Sequence, residues 1–114
     1  MFDFINTLLN RPNIRNRRFQ RVAVEARAEL FFTERRYGID GMLIELSQGG
    51  ALFREASKFV LDRKYAAVIL RVAGHEFPGM IVNVRPAGYG ILFDAPLSEE
   101  TIAEIAAATT TQAA

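Results

Sequence analysis

At 114 residues the chain has room for one hydrophobic core and not two, since compact domains commonly hold about 100 to 150 residues. Half of its residues are hydrophobic and 24% are charged, which excludes disorder along the whole length, and the lack of cysteine excludes disulfides and thiolate chemistry. With a net charge of +1 and His75 as the one histidine, neither a Cys/His metal site nor a surface basic enough to coat long nucleic acid is expected.

No stretch approaches the roughly 18 apolar residues of a membrane helix, and Met1-Phe2-Asp3-Phe4 lacks the positive start of a signal peptide. The expectation is a cytoplasmic protein with no membrane span. Residues 3–9 place Phe4, Ile5, Leu8 and Leu9 at helical spacing, but one or two turns need something to dock on. Pro12 then breaks any helix, and from Arg11 to Arg21 the chain reads RPNIRNRRFQR, with five arginines and no acid. Residues 10–20 therefore read as a mobile basic arm, suited to holding one anionic ligand.

From Val22 to Phe32 apolar and polar residues alternate, which predicts a strand. A second strand is expected over Tyr37–Leu46, with Gly38 and Gly41 marking a bulge or a close contact. Ser47-Gln48-Gly49-Gly50 reads as a tight turn, and Ala51 opens a short third strand. Ala66–Val72 predicts a fourth strand whose unbroken apolar run suggests burial on both sides. Ala73-Gly74-His75 is expected to turn the chain into two further strands, Glu76–Arg85 and Tyr89–Phe93. Ser98-Glu99-Glu100 then supplies a cap and first-turn acids for a closing helix, whose stripe of Leu97, Ile102 and Ile105 is narrow enough to lie across a barrel opening. Phe31, Phe32, Phe53 and Phe93 are the expected aromatic core. The fold class is thus mainly β, a small six-stranded antiparallel barrel.

Two short patterns carry the functional reading: Arg17-Arg18-Phe19-Gln20-Arg21, and Glu45-Leu46-Ser47-Gln48-Gly49-Gly50. Together they resemble the PilZ family, which has RxxxR before its first strand and D/NxSxxG between its second and third. The resemblance runs from Arg15 to the closing helix. It implies a six-stranded PilZ-type barrel with a C-terminal α-helix and a mobile N-terminal arm. The chain then divides into an N-terminal segment (1–14), the domain (15–108, helix from about 98) and a flexible tail (109–114). The implied ligand is the bacterial second messenger cyclic di-GMP, with no further cofactor. The implied role is to signal to a downstream protein partner in processes such as motility, biofilm formation or polymer secretion.

The chemistry stands independently of the name. Arginine offers a planar fork that matches the O6 and N7 acceptors of guanine and also grips phosphate, so Arg17 and Arg21 suit a clamp, with Arg18 beside them and Arg15 flanking. A strand-end carboxylate can accept from guanine N1 and N2, a hydroxyl can add a bond, and glycine lets the backbone come close. Glu45, Ser47 and Gly50 fill these roles, with Gly49 adjacent. Glu45 stands where the family has Asp or Asn, and its extra methylene moves the carboxylate by about 1 to 1.5 Å, which predicts lower affinity. In the family that the motifs resemble, the residue before RxxxR bears on whether one or two ligand molecules bind, and Asn16 at that place leaves both open. No residue type places a base beside Ser47, and His75 reads as a turn residue, so no catalytic activity is expected. Two alternatives stay open: a PilZ-like adaptor that has lost its ligand, and a small barrel binding single-stranded nucleic acid, with Tyr37 and Tyr89 as stacking candidates.

Overall fold

The computed structural model describes residues 20–57 and 63–113, with side chains as far as residue 108. Six strands and one helix follow in order: β1 (Val22–Phe32), β2 (Tyr37–Leu46), β3 (Gly50–Glu55), β4 (Ala67–Val72), β5 (His75–Arg85), β6 (Gly88–Phe93) and α1 (Glu99–Ala113). The strands close into a barrel in the order β1-β2-β3-β6-β5-β4, and each neighbouring pair is antiparallel. Closure pairs every strand on both sides and so leaves no free sheet edge.

Alternation fixes which side chains fill the interior. Leu30, Leu43, Leu46, Phe53, Leu70 and Ile81 are fully buried, and Val24, Phe32, Ile91 and Phe93 join the same cluster. The parity that buries Phe32 turns Phe31 outward, so Phe31 is not core; it is half-buried on the outer wall, with the Arg71 guanidinium 4.6 Å from its ring centroid. β4 likewise alternates, with Val68, Leu70 and Val72 inside and Ala67, Ile69 and Arg71 outside, rather than being buried on both faces. Its outer residues are shielded by neighbours instead: Ile69 pairs with Phe31 and Pro78, and Arg71 bridges Glu29 and Glu76.

Bulges interrupt the ladders at Ala23–Ala26 in β1, Leu43–Glu45 in β2 and Ile81–Asn83 in β5. Of the bulge or close contact expected at Gly38 and Gly41, the close contact holds: a Cβ at Gly41 would strike the Arg54 carbonyl and the Phe53 ring. Ala73 and Gly74 both adopt positive φ (51° and 81°), the geometry of a two-residue hairpin, so His75 is the first residue of β5 rather than part of the turn. Its ring stacks on Phe77 (centroids 5.6 Å apart), and its Nε2 lies 3.2 Å from a Glu104 carboxylate oxygen on α1.

The two mouths of the barrel are closed differently. At the first, which holds the β2–β3 turn, α1 lays Leu97, Ile102 and Ile105 into the core as its apolar stripe predicts. Ser98 caps this helix, its Oγ accepting from Thr101 N–H at 3.0 Å. Helical backbone continues to Ala113, through residues that the sequence reading assigns to a tail. At the second mouth the Arg63 guanidinium lies 5.0 Å from the Phe32 ring centroid and 5.6 Å from that of Tyr89. It donates to Glu55 Oε1 and to the Tyr89 hydroxyl, both at 2.9 Å.

Candidate functional site

Sequence order sends the end of β2 and the start of β3 to the mouth covered by α1, and the Ser47–Gly50 turn sits there. Ser47 N–H donates to Gly50 O at 2.9 Å, while Gly50 N–H donates back to Ser47 Oγ at 3.1 Å. The Ser47 hydroxyl therefore holds the turn shut with its lone pair. Its own proton has only a long contact, 3.3 Å to Gly50 O, and is easily redirected to an incoming acceptor. Gly50 is required by close approach, because a Cβ there would strike the Ile91 carbonyl on β6.

The turn is tied to the chain leaving the barrel. Gly49 O accepts from Phe93 N–H at 2.9 Å, Gln48 O from Leu97 N–H at 2.8 Å, and Gln48 Nε2 donates to Leu97 O at 2.9 Å. Gln48 was not among the expected site residues. Its role as the cross-link between the turn and the lead into α1 depends on a partner 49 residues away, which local pattern does not show.

Strand register sets the remaining geometry. Leu46 and Val22 face inward as a pair, so the adjacent pair of Glu45 with Ala23 faces outward. The register ends with Val22 paired to Leu46, so the exposed Arg21 and Ser47 are the next residues of the two segments at this mouth, one residue beyond the Val22–Leu46 pair. Arg15, Arg17 and Arg18 lie outside the described residues. Glu45 pairs onward with Leu52, Leu52 with Gly90, and Gly90 with Asn83, so one outward row crosses β1, β2, β3, β6 and β5. Along it stand a half-buried carboxylate, an apolar side chain, a glycine and an amide.

Asn83 is the residue sequence reasoning missed. Its Oδ1 is buried and has no hydrogen-bond partner among the described residues, whereas buried polar atoms in folded proteins are nearly always satisfied. A Cβ on Gly90 would collide with this amide, so the glycine leaves the floor of the row flat next to an unused acceptor. The chemistry of the row is thus a carboxylate acceptor on the barrel wall at Glu45, near the exposed Arg21, and three strands further on an amide oxygen held just beneath the surface at Asn83. It can receive a planar group that carries donors on one edge and acceptors on another. No group of acidic or histidine side chains suited to a metal ion occurs among the described residues. Tyr89, a candidate for base stacking, is 1% exposed and serves the core and the Arg63 cluster at the opposite mouth.

A small closed antiparallel barrel with a helix across one mouth, and a Ser–Gly turn beside an arginine at the first strand, defines a class of ligand-binding regulatory domain. The PilZ domain pattern matches residues 15–110, and the chain belongs to that family. PilZ domains are in general receptors for cyclic di-GMP. The chain is similar in fold to the PilZ domain of CeSA from a cellulose-synthesizing bacterium, with a TM-score of 0.54 and 15% identity, covering 83% of this chain and 99% of that one. No curated relative matches the sequence. Among the described residues no helix is long and apolar enough to cross a membrane.

Proposed function

We propose that this domain binds cyclic di-GMP on the outward patch of Arg21, Glu45, Ser47, Gly50 and Asn83, with Arg17 and Arg18 gripping from the segment before β1. The observation that supports the reading is that the β1–β2 register ends with Val22 paired to Leu46, which leaves Arg21 of the first motif and Ser47 of the second as the next residues at one mouth. Guanine would present its N1 and N2 donors to the Glu45 carboxylate, while the Asn83 amide, three strands away at a spacing of about 4.8 Å per strand, would meet another part of the dinucleotide. Arginine forks would take its O6 and N7 or the phosphates. Arg15 and Gly49 flank this set. Binding then orders the arginine segment against the barrel and repositions residues 1–14, which creates or hides a surface for a protein partner.

Isothermal titration with cyclic di-GMP tests this directly. Saturable binding is expected, and Arg17→Ala or Arg21→Ala should each remove about 1.5 to 3 kcal/mol, more than tenfold in affinity. No heat at high-micromolar ligand, or unchanged affinity in both variants, overturns the reading. Glu45 supports a second reading, a protein adaptor without the messenger, because its longer side chain departs from the family motif. Glu45→Asp separates the two: tightening of existing binding fits a working receptor, and binding gained from none fits the adaptor. The exposed tyrosines Tyr37 and Tyr65 stand at the mouth opposite the arginine motif, which counts against an oligonucleotide track running from the arm.

A further inference from the structure

The second barrel mouth carries a surface that messenger binding leaves unused. Among the described residues the exposed large hydrophobic side chains are Tyr37, at 38%, and Tyr65, at 67%, and both stand on this mouth. Thr33 N–H donates to Ala67 O at 3.3 Å, which lays the β1–β2 turn beside the start of β4 and makes one rim of the two segments. Tyr37 is held by stacking on Phe32, with centroids 5.2 Å apart and planes 13° from parallel. Tyr65 is held by its backbone, N–H donating to Ile81 O at 2.7 Å, with Lys64 Nζ 5.3 Å from its ring centroid.

Two of the rim residues adopt φ values that bulky side chains avoid, Arg36 at 57° and Tyr65 at 72°. Glycine or asparagine would satisfy such a backbone at less strain, and the core gains nothing from a tyrosine ring that is mostly in water. The strained positions instead aim a guanidinium and an aromatic ring outward on a fixed frame, the residue types that anchor protein interfaces. Charge gives the partner's sign: among the described residues Arg35, Arg36 and Lys64 are exposed on this rim, with the acid Glu34 beside them. Neither Arg35 nor Arg36 forms an ion pair among the described residues. The opposite mouth carries exposed Asp94, Glu99, Glu100 and Glu104.

We propose that Arg35, Arg36, Tyr37, Lys64 and Tyr65 form a docking surface for an acidic segment of a partner protein. Rigid aromatic anchors supply contact area with little entropy to lose, and the cations steer and orient a negative chain. A nucleic-acid track is disfavoured because three cations interrupted by Glu34 release few counterions. The inference supplies a surface for the partner in the function proposed above. Its test omits the dinucleotide, so either reading can fail while the other holds.

The experiment is a titration of the isotope-labelled full chain with a 12-residue peptide of repeating Asp-Glu-Leu, followed by amide chemical shifts. Saturable shifts confined to residues 34–37 and 63–65 are expected. Arg35→Glu with Arg36→Glu should lower affinity about tenfold or more, and Tyr65→Asn, which suits the left-handed backbone and leaves charge untouched, about three- to tenfold. Shifts elsewhere, or a Tyr65→Asn protein that stays folded by circular dichroism and binds as before, overturn the proposal. It is equally overturned if a 12-nucleotide oligo-dT or phosphatidylglycerol vesicles bind the same residues more tightly than the peptide. Head-to-tail self-association of this mouth with the acidic one, seen by sedimentation, overturns it as well.

Discussion

The two mouths of the barrel solve one problem with different materials. Barrel closure satisfies the strand backbones but leaves two open ends through which water reaches the core. At one end α1 covers the opening with Leu97, Ile102 and Ile105, and burial of each contributes on the order of 1.5 to 3 kcal/mol. At the other, among the described residues, Arg63 lies in the opening, its flat guanidinium against Phe32 and Tyr89 and its charge matched by Glu55. Burial lowers the affinity of Arg63 for its proton, but the fields of Tyr89, Glu55 and Tyr37 outweigh it and the pKa is raised, so the plug stays charged. An apolar lid tolerates loss of one contact by settling, whereas a charged plug leaves its partner stranded. The contrast also separates the roles proposed for the ends: messenger at the helix-covered mouth, partner at the plugged one.

The contrast is sharpest for Arg63→Ala, which removes the cation paired with Glu55, whose side chain is 13% exposed, and leaves that carboxylate only the 3.3 Å bond from the Tyr89 hydroxyl; a loss of about 3 kcal/mol or more is expected from urea unfolding. Replacing both Arg63 and Glu55 by leucine should recover most of that loss, and an equal loss in the double variant would break the plug account. Next, Ile105→Ala at the other mouth removes a fully buried side chain and should cost about 2 to 4 kcal/mol by the same measurement. Ser47→Ala leaves Gly50 N–H without its partner and should cost about 1 kcal/mol, and it should also weaken cyclic di-GMP binding. Asn83→Ala removes an acceptor that has no partner in the fold. It should leave the unfolding midpoint nearly unchanged while lowering dinucleotide affinity by about three- to tenfold, measured by calorimetry. The smallest effect belongs to Glu104→Gln, whose contact with His75 is open to water; a change under about 0.5 kcal/mol is expected.

Most of the fold was legible because it rests on parity, which is a local property. Val22–Phe32 and Tyr37–Leu46 are strands over the limits that alternation predicts, and Ser98 caps the helix where its hydroxyl precedes two acids. Parity also shows why two readings failed. Phe31 was grouped with its aromatic neighbours although its odd position sets it with Arg27 and Glu29, and the apolar run over Ala66–Val72 concealed an alternation that Arg71 alone marked. Of the site, Glu45, Ser47 and Gly50 were visible as a strand-end motif, while Asn83 and Gln48 were not, since the residues they meet are brought near only by barrel closure.

The sequence by itself thus determined the elements and the chemistry of the two motifs, because spacing and side-chain type act over a few residues. Which strands are neighbours was decided only in three dimensions. The pairing of β3 with β6 and of β4 with β1 aligns Glu45 with Asn83 and sets Arg63 between Phe32 and Tyr89. Those contacts join segments far apart in the chain, and their energy lies in closing the barrel as a whole rather than in any local preference.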